Sequence, residues 1–241
     1  MHALIVAAGF GSRLRAVSPS KPLTLVAGVP LIERVVQAAH EGGATAFTIV
    51  TGYEAEGIER WAAGAAPRLG LAIACVRTAD WSLPNGHSVL SGAEAIGRER
   101  HLLMMADHLV EPALVAAVAG SPDAPLTLGI DRRLDNPLVD MDDVTRVRTD
   151  ADGAIVAIGK HLPDYDCFDT GVFAVDGRFH DALRASIAAG GPGSISAGVE
   201  ALAAIGEART VDVGEAWWLD VDDPRALDQA EYAFAHGIAA E

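Results

Sequence analysis

The chain has 241 residues, half of them apolar, with 18 Lys and Arg against 33 Asp and Glu and a formal charge of −15. That length suits one domain with its own core and no need of staples. The charge excludes nucleic acid and anionic membrane as partners, because backbone binding needs a basic footprint; an anionic small molecule stays open where local cations and backbone amides hold it.

The N-terminus has no basic stretch, and its apolar run Ala3–Ala8 is too short for a signal peptide. Nothing approaches the roughly 18 consecutive apolar residues of a membrane span. Cys75 and Cys167 lie far apart with no metal-ligand spacing, so two buried thiols in a reducing compartment are expected. A cytoplasmic protein follows, and the charge leaves a homodimer open.

In chain order, Ala3–Ala8 and Phe47–Val50 read as buried strands, followed in the same style by Leu71–Val76 and His101–Met105. Between them Leu31, Ile32, Val35, Val36 and Ala39 recur at helical spacing, and Ile58 with Trp61 and Ala62, then Val89–Leu90 with Ala93, repeat the pattern more weakly. Strand alternating with helix predicts a parallel sheet with crossover helices. From Leu126 the runs shorten: Leu126–Ile130, Val144–Arg148, Ile155–Ile158 and Phe168–Val175, with Asp152-Gly153 fitting a hairpin turn. Helices are expected around Ala182–Ala188 and Ala197–Ile205, with Ala188–Gly198 as a loop and helix start. A strand Thr210–Val213 leads to the string WWLDVDD, and a last helix begins near Pro224. The reading is a single α/β domain over residues 1–241, with a mixed, mainly parallel sheet between helices in a Rossmann-like three-layer sandwich.

Ligands of such sheets sit beyond the carboxyl ends of the strands. The string AAGFGSRL begins where the first strand ends, and Lys21 follows between Ser20 and Pro22. A dinucleotide fingerprint needs a third small residue where Leu14 stands and an acid closing the second strand, which ends instead in Thr51-Gly52-Tyr53. A Walker loop needs Gly-x4-Gly-Lys-Ser/Thr, and no such string occurs. What remains is a long glycine loop whose amides can wrap phosphates while Arg13 and Lys21 neutralise them.

Further carboxylates stand at strand ends. Asp107 directly follows an apolar strand, so it points into the same crevice and can hold Mg²⁺ against phosphate oxygens. It lies too early to cap the helix near Pro112. Asp220 and Asp222 alternate on a strand and share one face, while Asp223, before Pro224, reads as a helix N-cap. Asn85-Gly86 by itself is a turn with a cap, with Ser88 as another capping candidate. A lone lysine at the end of a strand, such as Lys160, is usually solvated. His108 beside Asp107 reads as structural or as a support of its neighbour.

The string LIVAAGFGSRL…PSKPL resembles the signature loop of the nucleotidyltransferases that join a nucleoside triphosphate to a phosphorylated small molecule. The resemblance implies the nucleotide-diphospho-sugar transferase type of fold. It also implies that Ala7, Ala8, Gly9, Phe10, Gly11, Ser12, Arg13 and Lys21 hold the triphosphate, with Thr51 and Gly52 beside them. Asn85, Gly86 and Ser88 would lie at the nucleobase, and Asp107 with Asp220 or Asp222 would hold Mg²⁺. Lys160 would meet the acceptor phosphate, with Asp169, Thr170 and Gly171 on the acceptor side. NGHSVL, MADH, VDMDDVTRVRTDADGAIVAIGKHL, DTGVF and WWLDVDDP are closer still to one branch, the CTP:inositol-1-phosphate cytidylyltransferases. In that branch the domain is often joined to a membrane-embedded transferase, of which these residues show no segment. The expected partners are therefore CTP, or another triphosphate, and a phosphorylated small molecule. The competing readings are a sugar-1-phosphate or phosphocholine nucleotidyltransferase, a non-catalytic nucleotide-binding regulator, and an oxidoreductase that the motif test disfavours.

Overall fold

A computed structural model describes residues 1–239; the expected domain's final two residues lie outside that description. The first half runs β1 (His2–Ala7), β2 (Leu25–Val26), β3 (Val29–Pro30), α1 (Leu31–Glu41), β4 (Ala46–Thr51), α2 (Ala55–Leu69), β5 (Ala72–Arg77), α3 (Asn85–Ile96), β6 (His101–Met105), β7 (His108–Val110) and α4 (Pro112–Ala119). The second half runs β8 (Leu126–Asp131), β9 (Arg146–Thr149), β10 (Ile155–Gly159), β11 (Cys167–Val175), α5 (Gly177–Ala188), α6 (Ile195–Ala203), β12 (Ala208–Asp212), β13 (Trp218–Asp220) and α7 (Pro224–Ala235).

Nine strands form one sheet, in which β10, β9, β11, β6, β1, β4 and β5 follow one another, with β8 against β11 and β12 against β8. β1 pairs in parallel with β4 and β6, and β4 with β5, as the alternation of runs predicts. β11 is antiparallel to β6, β8 and β9, which makes the second half mixed. β1 and β4 read as near-continuous apolar runs because helices cover both faces of the sheet. Leu31, Val35, Leu114 and Ala230 pack with Ile5 on one face, from α1, α4 and α7; Val89, Phe179, Leu183 and Val199 pack with Leu4 on the other, from α3, α5 and α6. The three layers match the expected sandwich.

The chain builds β1, β4 and β5 outward in one direction and then returns to place β6 on the other side of β1. That reversal opens a crevice beyond the ends of β1 and β6, flanked by the glycine loop and by Asp107. β7 and β13 form a separate antiparallel pair with Asp220 opposite His108. A residue more than a hundred positions downstream is thereby brought beside Asp107. In β11 the register against β8 shifts between Asp169 and Phe173, a bulge of the kind that re-aims side chains.

Candidate active site

Two adjoining hollows occupy the crevice. The smaller, about 280 Å³, is lined by Gly9, Gly11, Ser12, Arg13, Lys21 and Asp222 among others. The larger, about 440 Å³, shares Gly9, Asp107 and Asp222 with it and extends to Lys160, Asp169 and Asp220. The glycine loop leaves β1 through Gly11 in a left-handed conformation, φ 61°. A Cβ there would lie 2.6 Å from the Lys21 Cβ, so glycine both makes the turn and admits the lysine. The stretch Lys21–Leu23 is a single 3-10 turn with Pro22 in its first positions, which fixes the direction in which Lys21 leaves the backbone.

Lys21 is only 7% exposed. Its Nζ donates to Asp107 Oδ2 at 2.6 Å, pairs with Asp222 and lies 4.0 Å from Asp220. Arg13 donates to Asp143 at 2.6 Å and pairs with Asp222, and Lys160 pairs with the other oxygen of Asp143. Three cations thus stand around four carboxylates. His108 donates from Nδ1 to Asp107 Oδ1 at 2.9 Å and lies 3.7 Å from Asp220.

These neighbours shift the titration of the cluster. Burial pushes the Asp107 carboxyl up, but the Lys21 ammonium and the His108 hydrogen bond together hold it well below the usual range. Burial likewise opposes charge on His108, yet Asp220 and Asp107 raise the imidazole to about 9, so it stays protonated at neutral pH. Asp143 is lowered against its own burial by hydrogen bonds from Arg13 and Lys160. Asp220 moves upward because burial outweighs the pull of His108.

The donor set fits a hard divalent cation. Carboxylate oxygens of Asp143, Asp220 and Asp222 lie within 4.8 Å of one another. Asp220 Oδ1 is buried with no hydrogen-bond partner, an oxygen in want of a cation. Oxygen ligands converging at this spacing suit Mg²⁺ with water and phosphate completing its shell.

Several expected contacts lie elsewhere. Thr170 is fully buried and donates from its hydroxyl to the Gly129 carbonyl at 2.8 Å, while its neighbours on either side along β11, Asp169 and Gly171, line the larger cavity, as strand alternation requires. Burial raises the Asp169 carboxyl to about 6. Thr51 is fully buried and donates to Glu59 at 3.2 Å, and Gly52 packs against Ala8 and Trp81, so neither lines a hollow. Ala8 is buried in the core. Phe10 swings outward, 41% exposed, against Tyr53 and Trp81.

Asn85 is the first residue of α3 rather than a turn before it, and its side-chain oxygen Oδ1 accepts from the Ile195 amide at 2.9 Å. Gly86 donates to the Gly193 carbonyl at 3.1 Å, so this pair anchors the 189–194 loop, while Asn85 and Ser88 also line the larger cavity. Ser88 lies inside the helix and makes no N-terminal cap. Asp223 caps α7 by accepting from Ala226 at 2.8 Å, as expected. Sequence reasoning missed Asp143: it stands within the string VDMDDVTRVRTDADGAIVAIGKHL without a role of its own, and no spacing signal ties it to Arg13, 130 positions away.

Residues 3–139 match the family of MobA-like NTP transferase domains. The bifunctional IPC transferase and DIPP synthase of Rubrobacter xylanophilus is 34% identical over 95% of this chain and 51% of that protein. The CMP-5'-(3-aminopropyl)phosphonate synthase of Streptomyces rubellomurinus is 31% identical over 98% of this chain and 39% of that one. The chain thus spans about half the length, or less, of these curated relatives. An inositol-1-phosphate CTP transferase from T. maritima shares the fold with a TM-score of 0.87 at 24% identity, over 99% of this chain and 96% of that one. A UDP-glucose pyrophosphorylase complexed with UDP-glucose shares it at 0.79 and 17% identity, over 98% of both chains. The fold expected from the sequence is therefore the observed one, and the match leaves the oxidoreductase reading without support. On the strength of the match over residues 3–139, the chain belongs to the MobA-like NTP transferase domains, a family of nucleotidyltransferases.

Proposed function

We propose that this chain transfers a cytidylyl group from CTP to a phosphorylated small molecule, inositol 1-phosphate first among them. The observation that carries the reading is the split of the cations about one carboxylate cluster. Arg13 and Lys21 stand on the glycine-loop side and Lys160 on the cavity side, with Asp143 paired to both Arg13 and Lys160. Two anionic groups can be held there with a reacting phosphorus between them. The likeness in sequence to the IPC transferase and DIPP synthases supports the choice of acceptor.

In the reaction, an oxygen of the acceptor phosphate forms a bond to the α-phosphorus, and the bond from that phosphorus to the bridging oxygen breaks to release pyrophosphate. A phosphate monoester is already ionised at neutral pH, so no side chain has to remove a proton. The protein's work is placement and neutralisation of charge. Arg13 and Lys21 take the charge gathering on the leaving pyrophosphate; Lys160 holds the incoming phosphate. The loop amides from Gly9 to Ser12 fix the triphosphate, and His108 keeps Asp107 and Asp220 oriented. Asp107, Asp220 and Asp222 would hold Mg²⁺, with Asp143 beside them. When bound, that ion supplies electrostatic stabilisation of the α-phosphate.

A second reading keeps the chemistry and changes the acceptor. Asp140, Asp143, Asp169 and Asp223 line the larger cavity together with the metal-site carboxylates. Such a wall also suits an acceptor carrying an ammonium group, and the phosphonate synthase relative is in keeping with that. Pyrophosphate release, measured across four triphosphates with inositol 1-phosphate, phosphocholine, an aminoalkylphosphonate and sugar 1-phosphates, separates the readings. Release with CTP and inositol 1-phosphate supports the first reading. Silence from every pair while CTP still binds would sink the catalytic reading in favour of a regulator. Among the described residues no helix is long and apolar enough to cross a membrane; we place the reaction in the cytoplasm.

A further inference from the structure

The connection from β8 to β9 runs over residues 132–145 with no helix or strand of its own. A compact domain rarely carries so long an irregular connection without a function for it. Leu138, Val139, Asp140 and Asp143 from this segment form one wall of the larger cavity. Its backbone gains little from regular hydrogen bonding, so something else has to hold its shape.

That anchor is Asp131, the last residue of β8, which is 0% exposed. Its Oδ1 accepts from the Arg133 amide at 2.8 Å and from Arg133 Nε at 2.9 Å. Its Oδ2 accepts from an Arg133 terminal nitrogen at 3.0 Å, from Asn136 Nδ2 at 2.9 Å and from Trp218 Nε1 at 2.8 Å. Arg133 in turn donates to the Glu215 and Ala216 carbonyls at 3.1 and 2.8 Å. Asn136 passes the constraint on, its side-chain oxygen accepting from the Leu138 amide at 3.1 Å and its carbonyl from the Val139 amide at 3.2 Å. One buried carboxylate therefore ties the start of the wall to the segment leading into β13, which carries Trp218 and Asp220.

We propose that Asp131 is a positioning residue for the acceptor: it touches no substrate but sets the distance between the 132–145 wall and the Trp218–Asp220 strand. A buried charge that only stabilised the fold could be satisfied by Arg133 alone. This one spends its remaining lone pairs on two segments that both contribute to the lining of the larger cavity. The inference rests on the reading of the larger cavity as the acceptor site.

The test compares Asp131→Asn with Asn136→Ala, which leaves the Asp131–Arg133 pair intact and guards against misfolding of the first variant. With CTP and inositol 1-phosphate, the acceptor KM rises about tenfold or more in Asp131→Asn and less in Asn136→Ala, in each case by a clearly larger factor than the CTP KM, which shifts only through Asp220 on the tethered strand. In the free protein, Leu138 and Val139 amides exchange faster in both variants, amides of β1 and β4 keep their protection, and Trp218 emission, assigned with Trp218→Phe, shifts red. An equal rise of both KM values, or unchanged exchange at Leu138 and Val139 in both variants, overturns the proposal. If wild type does not turn over inositol 1-phosphate, the acceptor reading fails, while exchange and emission still decide the role of Asp131.

Discussion

Lys21 and Asp107 meet at 2.6 Å between Nζ and Oδ2, so the cation proposed to hold phosphate stands on a carboxylate proposed to hold the metal. On the proposed reading, binding of metal and triphosphate together would exchange these partners, the carboxylates going to the metal and Lys21 to phosphate. Free metal would then have to compete with Lys21 for Asp107 and Asp222. Replacing Lys21 with Met should therefore tighten Mn²⁺ binding in the absence of nucleotide by about tenfold or more, as read by electron paramagnetic resonance. The same variant should lose about 10²–10³ in turnover, by analogy with removal of one donor to a developing oxyanion. Unchanged Mn²⁺ affinity would show that Lys21 does not hold the site.

Lys160 and Arg13 share Asp143 but are proposed to serve different ends of the reaction. Lys160→Ala is expected to raise the acceptor KM while leaving CTP affinity, measured by calorimetry, close to wild type. Arg13→Ala should do the reverse, weakening CTP. If both variants weaken CTP alike, the division of the cations between the two substrates is wrong.

Asp169 faces the cavity with its carboxyl raised to about 6 by burial. The folded state then binds its proton more tightly than the unfolded chain does. Its contribution favours folding below pH 4 and is lost as the pH climbs to about 6. Asp169→Asn should therefore be the more stable protein at pH 7 to 8 in the presence of a chelator, judged by its urea midpoint, and a poorer catalyst. A rise from the ordinary 3.8 to about 6 corresponds to about 3 kcal/mol at most. A lower midpoint in the variant would mean that the carboxylate is stabilising where it stands.

The core carries a second pH-sensitive feature, of the opposite sign. His101 and His180 are buried with ring centroids 5.1 Å apart, and burial followed by the mutual repulsion of the rings lowers His180 to about 4. Here the unfolded chain takes up the proton first. Stability is whole above about pH 6.5 and falls as the pH drops toward 4. The denaturation midpoint should follow that window, and His180→Leu should flatten it. A slope unchanged by the substitution would move the acid lability to another group.

The parts of this molecule legible in the sequence are those whose cause is local. The apolar run of β1, the Asp107 just beyond the end of β6 and the Asp223-Pro224 start of α7 each follow from a few adjacent residues. Asp143 was not legible because its partners, Arg13 and Lys160, reach it only after the 132–145 connection has been shaped. Thr170 differs: alternation along β11 places it opposite Asp169 and Gly171, so a string of three adjacent residues taken together as acceptor-side could not all face one cavity. Asn85 shows the same limit as Asp143, since its partner Ile195 lies 110 positions away. Asp220 reaches Asp107 through the β7–β13 pairing, which two three-residue strands leave too short for any periodicity to announce.

The most direct test of the account is pyrophosphate release by the wild-type chain with CTP, inositol 1-phosphate and Mg²⁺, repeated with Asp107→Ala. The account predicts release that requires all three components and is abolished in the variant. Release that persists at the wild-type rate in Asp107→Ala, with the same dependence on Mg²⁺, would contradict it.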